Sequence, residues 1–455
     1  MADFADEAEN DAPVVLVVGG GFAGLDVARG LGECPVSVIL ADHHNYHLFQ
    51  PLLYQVATAV LSPADIASPI RHILKEQKNA EVVLDELTHV DLDAKIARFQ
   101  RTSIHYDYLV LSMGVTHSYF GHEEWEAIAP GLKTIDDALE LRRRVLLAFE
   151  EAEREEDETS RRGKLTFVVV GGGPTGVEMA GALKEIASRS IPHDFRYIDT
   201  KTARIILVEA GERLLNGLPE QLGERARRDL ERMGVEVRLN SRVTGMDREA
   251  VYLGEEYLPA QNLIWAAGVQ GAGPANSLGV ELDSIGRIVV GPDLAIPGHP
   301  EAFVAGDLAH AEDPQTGKTS PGLAPAAKQM GRHIARVIKE EIGTEAPTPR
   351  PPFRYRDKGT MATIGRFKAV AAVQNRTFAG AFAWLLWSFI HIYFLVGFRR
   401  RLFVVLSWMW NYLSFHKGAR LITGYPEMRI KKPRRSASPP GDANSREKTE
   451  STEPS

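Results

Sequence analysis

Cysteine is almost absent from this sequence of 455 residues, since Cys34 is its single cysteine. One cysteine can form neither an intrachain disulfide nor a redox-active thiol pair. Basic residues are no more plentiful than acidic ones: 53 against 60 leave a formal net charge of −7. The total charge therefore offers nothing that would recruit nucleic acid. We expect neither dithiol chemistry nor a nucleic-acid partner.

A secretory leader is also lacking. The opening residues MADFADEAENDAP are acidic, with neither the positively charged region nor the apolar region of a signal peptide. We expect residues 1–12 to be flexible and the bulk of the chain to stay in the cytoplasm. Hydrophobic residues make up 44% and charged residues 25% of the chain, which excludes a disordered or fibrous protein. At about 150 residues per domain, the length predicts two to four domains.

The first motif follows a run of β-branched residues, Val14–Val18, that predicts a buried strand. Gly19-x-Gly21-x-x-Gly24 comes directly after it and opens a predicted helix. Glycines in this order allow a tight turn, close approach of a pyrophosphate and close helix packing. Asp42 ends the next strand about 20 residues on, where a carboxylate can accept hydrogen bonds from a ribose. The alternative is a glycine-rich turn that binds nothing.

The same pattern returns in a second βαβ unit. Gly171-x-Gly173-x-x-Gly176 follows the predicted strand Thr166–Val170, and Glu209 occupies the position of the ribose-binding carboxylate. Its negative charge would repel a 2′-phosphate, which favours NADH over NADPH. The alternative is that Glu209 simply ends a strand in water. Two dinucleotide sites in one chain indicate an electron relay, with one nucleotide held permanently and the other exchanging.

A further pair, Gly306-Asp307, ends the predicted strand 302–307 and precedes a helix predicted over 325–342. This order lets the carboxylate hold a sugar or ribityl hydroxyl while the positive end of the helix faces a cofactor. The alternative is a structural aspartate in a tight turn. We expect this strand and helix to return the chain to the first nucleotide-binding unit.

The C-terminal part begins with a predicted hairpin, 358–366 and 369–373. An almost uninterrupted apolar run of about 21 residues follows at 378–398, close to the roughly 20 that span a bilayer. Arg399, Arg400 and Arg401 come next, and then a second apolar stretch rich in aromatics. We expect helices that lie on a membrane surface, although the run length alone would permit one transmembrane helix. Segment 431–455 is predicted to be a disordered tail.

These motifs together resemble the type II (non-proton-pumping) NADH:quinone oxidoreductases of the two-dinucleotide-binding flavoprotein superfamily. The resemblance also rests on HLFQPLLYQVAT at 47–58, GGGPTGVEMAG at 171–181, APAAKQMG at 324–331, DKGTMATIG at 357–365 and WLLWSFIHIYFLVGFRRR at 384–401. It implies an α/β fold with two Rossmann-like domains and a C-terminal membrane-associating helical region. The implied domains are an FAD-binding domain at 13–118 and 283–343, an NADH-binding domain at 119–282, and the membrane-associating domain at 353–430.

The resemblance also implies roles for individual residues. It assigns Gly19, Gly21, Gly24, Asp42, Gly306 and Asp307 to FAD, and Gly171, Gly173, Gly176 and Glu209 to NADH. Glu178 matches a family glutamate near the flavin and nicotinamide rings, proposed to assist proton handling; the alternative is a carboxylate that favours the helix dipole. Gln329 matches the second glutamine of the quinone-site motif AQxxxQ. Pro325 stands where the first glutamine would be, which is a departure from the family pattern.

The activity implied is hydride transfer from NADH to FAD, followed by reduction of a membrane quinone without proton pumping. The alternatives are a ferredoxin- or rubredoxin-type reductase, which would have no use for the aromatic C-terminal region, and a non-catalytic flavin redox sensor. We expect no metal, because His43, His44 and His47 are closely spaced but have no cysteine beside them. The expected location is the cytoplasmic face of the cell membrane, and the resemblance also allows a homodimer.

Overall fold

The computed structural model describes residues 12–271, 273–343, 349–414 and 419–422, all within one structural unit. The predictions for residues 1–11 and 431–455 lie outside the described residues. Within them, two parallel sheets, several small antiparallel sheets and a C-terminal pair of helices account for most of the chain.

The first sheet has six strands and is built around the first glycine motif. Val14–Val18 is central because residues 15–18 are apolar and fully buried, as strands covered on both faces must be. It pairs in parallel with Ser37–Asp42 and with Tyr108–Leu111. The strand order is Ala295–Ile296, His299–Val304, Tyr108–Leu111, Val14–Val18, Ser37–Asp42 and Ala80–Leu84.

The expected return of the chain to this sheet is confirmed. His299–Val304 pairs in parallel with Tyr108–Leu111, far away in sequence. The helix predicted after it runs over Ala324–Ile342, with Pro325 in its first turn, where a missing N–H costs nothing. This helix packs closely on the helix Phe22–Gly30, since a Cβ on Gly331 would lie 2.4 Å from the carbonyl oxygen of Ala23.

The second sheet carries the second glycine motif. Its four parallel strands lie in the order Val235–Arg238, Arg204–Val208, Thr166–Val170 and Asn262–Trp265. Pro174–Glu185 follows the glycines as a helix, as predicted, and Glu220–Met233 packs beside it. Val115–His117 and Val269–Gly271 pair antiparallel where the chain passes between the two nucleotide-binding units.

The charge of residues 142–162 predicts a helix and linker that serve as a solvated connector rather than a ligand patch. A helix is present, Ile135–Glu153, but it is not fully solvated, because Val145 and Phe149 are buried in the core of the second unit. Even Arg142 is only 6% exposed. The charged residues occupy the outer face of an amphipathic helix, and the core takes the other face.

The C-terminal region forms a three-stranded sheet followed by two helices. The predicted hairpin is confirmed as Thr360–Gly365 and Lys368–Val373, and a third strand, Arg376–Ala379, extends it. The apolar run 378–398 is therefore divided: its first residues belong to that strand, and Ala381–Phe394 is a helix that ends before Gly397, whose φ is +93°. Phe398–Ser414 forms the second helix. Among the described residues, no helix combines the length and the apolarity that crossing a membrane requires.

The remaining elements connect these parts. The small sheets are Leu87–Asp91, Ile96–Phe99 and Ser103–His105; Val243–Met246, Ala250–Leu253 and Glu256–Pro259; Tyr46–Leu48 with Ala67–Pro69; and Ile288–Val289 with Ala309–His310. The short helices are Gln50–Leu52, Leu53–Ala57, Pro63–Ile66, Ile70–Leu74, Glu123–Trp125, Glu158–Lys164, Ile186–Ser190, Thr200–Thr202, Gly273–Ser277 and Gly306–Leu308. Ile364, Trp387 and Trp408 share the core of the second unit, so the C-terminal region is packed onto the nucleotide-binding part.

Candidate functional site

The two glycine loops have the same geometry. Gly19 and Gly171 have φ of +101° and +114°, a left-handed conformation that favours glycine. Cβ atoms on Gly24 and Gly176 would lie 1.9 and 1.8 Å from the carbonyl oxygens of Gly19 and Gly171, so the helix can approach the strand only without a side chain there.

Open space lies beside the middle of each loop. A Cβ on Gly173 would meet nothing within 4 Å, and one on Gly21 would meet only the carbonyl oxygen of Ser112, at 4.0 Å. Gly21 and Gly173 are also the N-caps of their helices and contribute no capping side chain. Each loop therefore leaves an approach to helix N–H groups, which suits a pyrophosphate.

The carboxylates predicted to bind ribose are held identically. Asp42 accepts hydrogen bonds from the backbone N–H groups of Gly20 and His44, both at 2.6 Å. Glu209 accepts from the corresponding N–H groups of Gly172 and Gly211, at 2.5 and 2.7 Å. The backbone donors fix each carboxylate beside its glycine loop, and the binding of ribose by Asp42 and Glu209 stays a prediction.

A cavity of about 470 Å³ extends from the first glycine loop past Asp42 to Gly306 and Asp307. No hydrogen bond reaches the carboxylate of Asp307 from the described residues, although its surroundings are largely protein. Burial raises the pKa of Asp307, and the nearby positive charges of Lys133 and Arg287 oppose this. Asp307 is half-buried and lines the cavity, so its carboxylate can accept hydrogen bonds from a ligand there. The residues thus fit a long dinucleotide whose sugar or ribityl hydroxyls reach Asp307.

The closely spaced histidines divide into two groups. The possible ligand atoms of Asp42, His43 and His44 lie within 4.8 Å of one another, but both oxygens of Asp42 already accept backbone hydrogen bonds. His47 points elsewhere: it is 2% exposed and its Nδ1 lies 2.9 Å from the carbonyl oxygen of Gly20. Burial lowers the pKa of His47, which favours the neutral ring.

Glu178 lines a second, smaller cavity of about 80 Å³. It lies in the first turns of the helix Pro174–Glu185 and faces the C-terminal hairpin, where Thr363 N–H donates to its Oε1 at 3.3 Å. Burial raises the pKa of Glu178 to about 8, and the Thr363 N–H only partly opposes this. The carboxyl group is therefore poised to hold and release a proton near neutral pH.

Gln329 is placed differently from Glu178. Its side-chain amide makes two hydrogen bonds with the backbone of Arg356: Nε2 donates to the carbonyl oxygen and Oε1 accepts from the N–H, both at 3.0 Å. It is not among the residues that line either cavity described here. Its neighbour Ala327 lines the larger cavity instead. The expected role of Gln329 in quinone binding stays a prediction.

Several other residues of the small cavity were not assigned to a functional site from the sequence. Tyr54 and Gln55 line its buried end together with Trp387 and Trp408 of the C-terminal helices. Trp408 Nε1 donates to Gln55 Oε1 at 2.8 Å, and Gln55 Nε2 donates to the Tyr54 hydroxyl at 2.9 Å. Tyr54 and Gln55 belong to the segment HLFQPLLYQVAT, which was noted for its resemblance alone. Gln55 and Trp408 are 353 positions apart in the sequence, so no local sequence pattern predicts their contact.

Comparisons with known proteins agree with this geometry. Residues 13–331 match the family model described as pyridine nucleotide-disulphide oxidoreductase. The chain is 42% identical over 424 residues to the type II NADH:quinone oxidoreductase Ndh of Mycobacterium tuberculosis, covering 90% of each chain. It is 43% identical over 425 residues to NdhA, a type II NADH:quinone oxidoreductase of the same organism, covering 90% of this chain and 89% of that one.

A solved structure shares the fold. The structure of NDH2 from Plasmodium falciparum in complex with NADH superposes with a TM-score of 0.82 and 20% sequence identity, covering 90% of this chain and 100% of that one. This likeness extends beyond the residues that the family model matches.

The chain is a member of the pyridine nucleotide-disulphide oxidoreductase family, a class of nucleotide-dependent redox enzymes. Within that class it belongs to the type II NADH:quinone oxidoreductases, and the resemblance drawn from the sequence is confirmed. The expected α/β fold is confirmed with it. Since Cys34 is the single cysteine and is buried, the chain shares the family's fold without its dithiol chemistry.

Proposed function

We propose that this chain oxidises NADH and reduces a membrane quinone through a bound FAD, with FAD in the larger cavity and NADH at the second glycine loop. The pair of matching glycine loops carries this proposal, because two dinucleotide sites in one chain provide an electron relay. The type II relatives name NADH as donor and a quinone as acceptor. When bound, FAD supplies a carrier that accepts a hydride from NADH and passes two electrons to the quinone.

The FAD site uses backbone and carboxylate groups of the first unit. Gly19, Gly21 and Gly24 bring the helix N-terminus to the pyrophosphate, and Asp42 accepts hydrogen bonds from the ribose. Gly306 and Asp307 close the other end of the cavity, where the unpaired carboxylate accepts from a ribityl hydroxyl. The size and length of the cavity support this placement.

The NADH site repeats this arrangement in the second unit. Gly171, Gly173 and Gly176 receive the pyrophosphate, and Glu209 accepts from the ribose hydroxyls. A 2′-phosphate would bring negative charge against Glu209, which its backbone donors hold in place. We therefore expect NADH to be preferred over NADPH.

Glu178 holds the proton that the quinone needs. Its carboxyl group lies on the wall of the small cavity, whose buried end is lined by Gln55, Trp387 and Trp408. The aromatic side chains at this end suit contact with a quinone head group, and the polar end of the cavity is left to water. The predicted role of Gln329 in quinone binding is part of this proposal; in the structure its amide is hydrogen-bonded to the backbone of Arg356.

The C-terminal helices lie on the membrane surface and admit the quinone. Phe382, Leu385, Phe389 and Tyr393 share one face of the helix Ala381–Phe394 and are 59 to 68% exposed. The opposite face packs into the protein through Trp384 and Trp387. An exposed apolar face of this kind, followed by arginines, favours binding in the lipid interface. A homodimer remains a prediction that light scattering in detergent would decide.

Steady-state kinetics test the proposed function. The purified protein in detergent should oxidise NADH rapidly only when a short-chain quinone is present, and should use NADPH poorly. A purified protein that binds no flavin and gives no quinone-dependent oxidation of NADH would overturn the proposal. Flavin reduction without quinone turnover would favour the redox-sensor alternative.

A further inference from the structure

The overall reaction needs one proton from water. NADH, a proton and the quinone yield NAD⁺ and the quinol, so the hydride brings both electrons but only one hydrogen nucleus. Glu178 is half-buried on the wall of the small cavity and contacts the C-terminal hairpin at Thr363. A proton that reaches Glu178 from the aqueous side therefore needs a route past the hairpin.

The small cavity provides such a route. At one end Tyr54, Gln55, Trp387 and Trp408 are all buried, whereas at the other end Arg189 is exposed and Glu185 and Arg366 are half-buried. The cavity therefore opens on its polar side. Its volume of about 80 Å³ has room for several waters, since one water needs roughly 10–15 Å³ by this measure.

Glu185 lines this cavity together with Glu178, and the exposed Arg189 follows it by four residues. It follows Glu178 by seven residues on the same helix face, about 10 Å along the axis. The helix continues at Ile186–Ser190 as a π-helical turn, a distortion that is frequent at functional sites. Two carboxyl groups at this separation can be joined by a few hydrogen-bonded waters.

The hairpin is shaped around these two carboxylates. Arg366 N–H donates to Glu185 Oε1 at 2.6 Å, three residues after Thr363 N–H donates to Glu178. A Cβ on Gly365 would lie 3.0 Å from Glu185 Oε1, so the turn approaches this closely because it has no side chain there. Gly181, between the two glutamates, lets the helix touch the backbone of Ile364.

We propose that Glu185 takes up the solvent proton and passes it through the waters of this cavity to Glu178. The proposal rests on the function proposed above. The Glu185 carboxylate accepts a proton from bulk water; this proton moves along the waters as each O–H bond breaks and the next forms. Glu178 then delivers a proton to the quinone side and is reprotonated from Glu185. No electrons move along this path.

Two substitutions separate a relay from a structural role. Glu185→Gln keeps the side-chain length and an oxygen that can accept from Arg366 N–H, but it cannot carry a proton. Glu185→Ala removes both properties. The matched control is Glu220→Gln, because Glu220 is exposed, begins a different helix and does not line the cavity.

Rapid mixing of the full-length, detergent-purified flavoprotein gives the first readout. In Glu185→Gln, NADH should reduce the flavin at the wild-type rate, whereas quinone should reoxidise it at least about tenfold more slowly, toward the lower limit for loss of acid–base catalysis. The solvent deuterium isotope effect on reoxidation should rise. Glu220→Gln should match the wild type in every step.

Infrared spectroscopy gives a readout without turnover. The carboxyl band of protonated Glu178, identified by its loss in Glu178→Gln, should exchange with D₂O at least about tenfold more slowly in Glu185→Gln than in the wild type. Unchanged exchange and unchanged reoxidation in Glu185→Gln would overturn the relay. So would a defect confined to Glu185→Ala, which would mark Glu185 as an anchor of the hairpin. If quinone failed to reoxidise the reduced flavin of the wild-type protein, the proposed function would be refuted. The infrared comparison would still decide whether Glu185 relays protons.

Discussion

The Glu178 carboxyl group accepts one long hydrogen bond, from Thr363 N–H at 3.3 Å. This hydrogen bond lowers its pKa by less than burial raises it. Its pKa of about 8 means that the carboxyl group is protonated at neutral pH in the folded protein and ionised in the unfolded chain. Proton transfer and folding stability therefore both depend on this one group, and each gives a test.

Replacing Glu178 should slow the quinone step selectively. In Glu178→Gln we expect flavin reduction by NADH to persist and reoxidation by quinone to fall by about 10²-fold, because a positioned proton donor is lost. The wild-type reoxidation rate should decrease as the pH rises through about 8, while the variant should show no such decrease. Stopped-flow absorbance across pH 6 to about 9 measures both. Equal pH profiles would contradict the role of Glu178.

The same substitution should change how the stability of the folded protein depends on pH. Because the folded-state pKa of Glu178 is raised from about 4.5 to about 8, the stability this group contributes is complete below about 4.5 and is lost as the pH rises to about 8. The glutamine of Glu178→Gln cannot ionise. The melting temperature of the variant minus that of the wild type should therefore increase as the pH rises between these limits. Thermal unfolding at several pH values measures the difference, and a difference that shrinks with rising pH would contradict it.

Asp307 faces the large cavity without a hydrogen-bond donor from the described residues. If FAD supplies that donor, Asp307→Asn should weaken FAD binding by about 10- to 100-fold, the value of a hydrogen bond to a charged group. The flavin-to-protein absorbance ratio after gel filtration measures the loss. Asp93→Asn, at an exposed position remote from the cavity, is the control. Full flavin content in Asp307→Asn would place the ribityl chain elsewhere.

The helix Pro174–Glu185 connects the nucleotide loop to the C-terminal hairpin. Its first turn follows the glycine loop to which we assign NADH, its middle touches the hairpin at Gly181, and its two glutamates line the small cavity. A shift of this helix would therefore affect both the second glycine loop and the small cavity.

Gly181 tests that contact. A Cβ at this position would lie 1.8 Å from the carbonyl oxygen of Ile364, so Gly181→Ala must force the helix and the strand apart. We expect a loss of about 1–3 kcal/mol in the free energy of unfolding, the usual cost of overpacking, together with slower quinone reduction. Gly217→Ala, where a Cβ would meet nothing within 4 Å, should be close to neutral. Denaturant titration measures both, and equal effects would refute the close contact.

Local sequence signals predicted the glycine loops and the C-terminal hairpin, but not how the apolar run after the hairpin divides between a strand and a helix. The spacing of Gly19, Gly21 and Gly24 has one physical meaning after a buried strand, because each glycine meets a separate steric demand. The apolar run 378–398 is compatible with several structures. Only its pairing with Lys368–Val373 shows that its first residues form a strand. Gln55 and Trp408 are likewise joined by a tertiary contact that no local pattern encodes.

The C-terminal helices give the protein an exposed apolar face that continues onto the helix Phe398–Ser414, where Leu402, Leu406 and Trp410 are 48 to 67% exposed. Truncation after residue 352 is a poor test of this face, because it would also remove Ile364 and Trp387 from the core. Substitutions confined to exposed positions avoid this problem.

Charged residues on that face should release the protein from lipid. Leu385→Glu combined with Phe389→Glu should weaken binding to phospholipid vesicles at least about tenfold, since burying one such side chain is worth about 1.5–3 kcal/mol. Flavin content should be unchanged. Tyr197→Glu alters an aromatic that is 79% exposed on another surface and should bind like the wild type. Cosedimentation measures all three, and undiminished binding of the double variant would place the membrane contact elsewhere.

The most direct test of the electron relay is anaerobic rapid mixing of the wild-type protein, first with NADH and then with a short-chain quinone. We expect NADH to bleach the flavin absorbance within the turnover time and quinone to restore it fully, with NADPH far slower in the first step. A flavin that NADH fails to bleach, or that stays bleached when quinone is added, would contradict it.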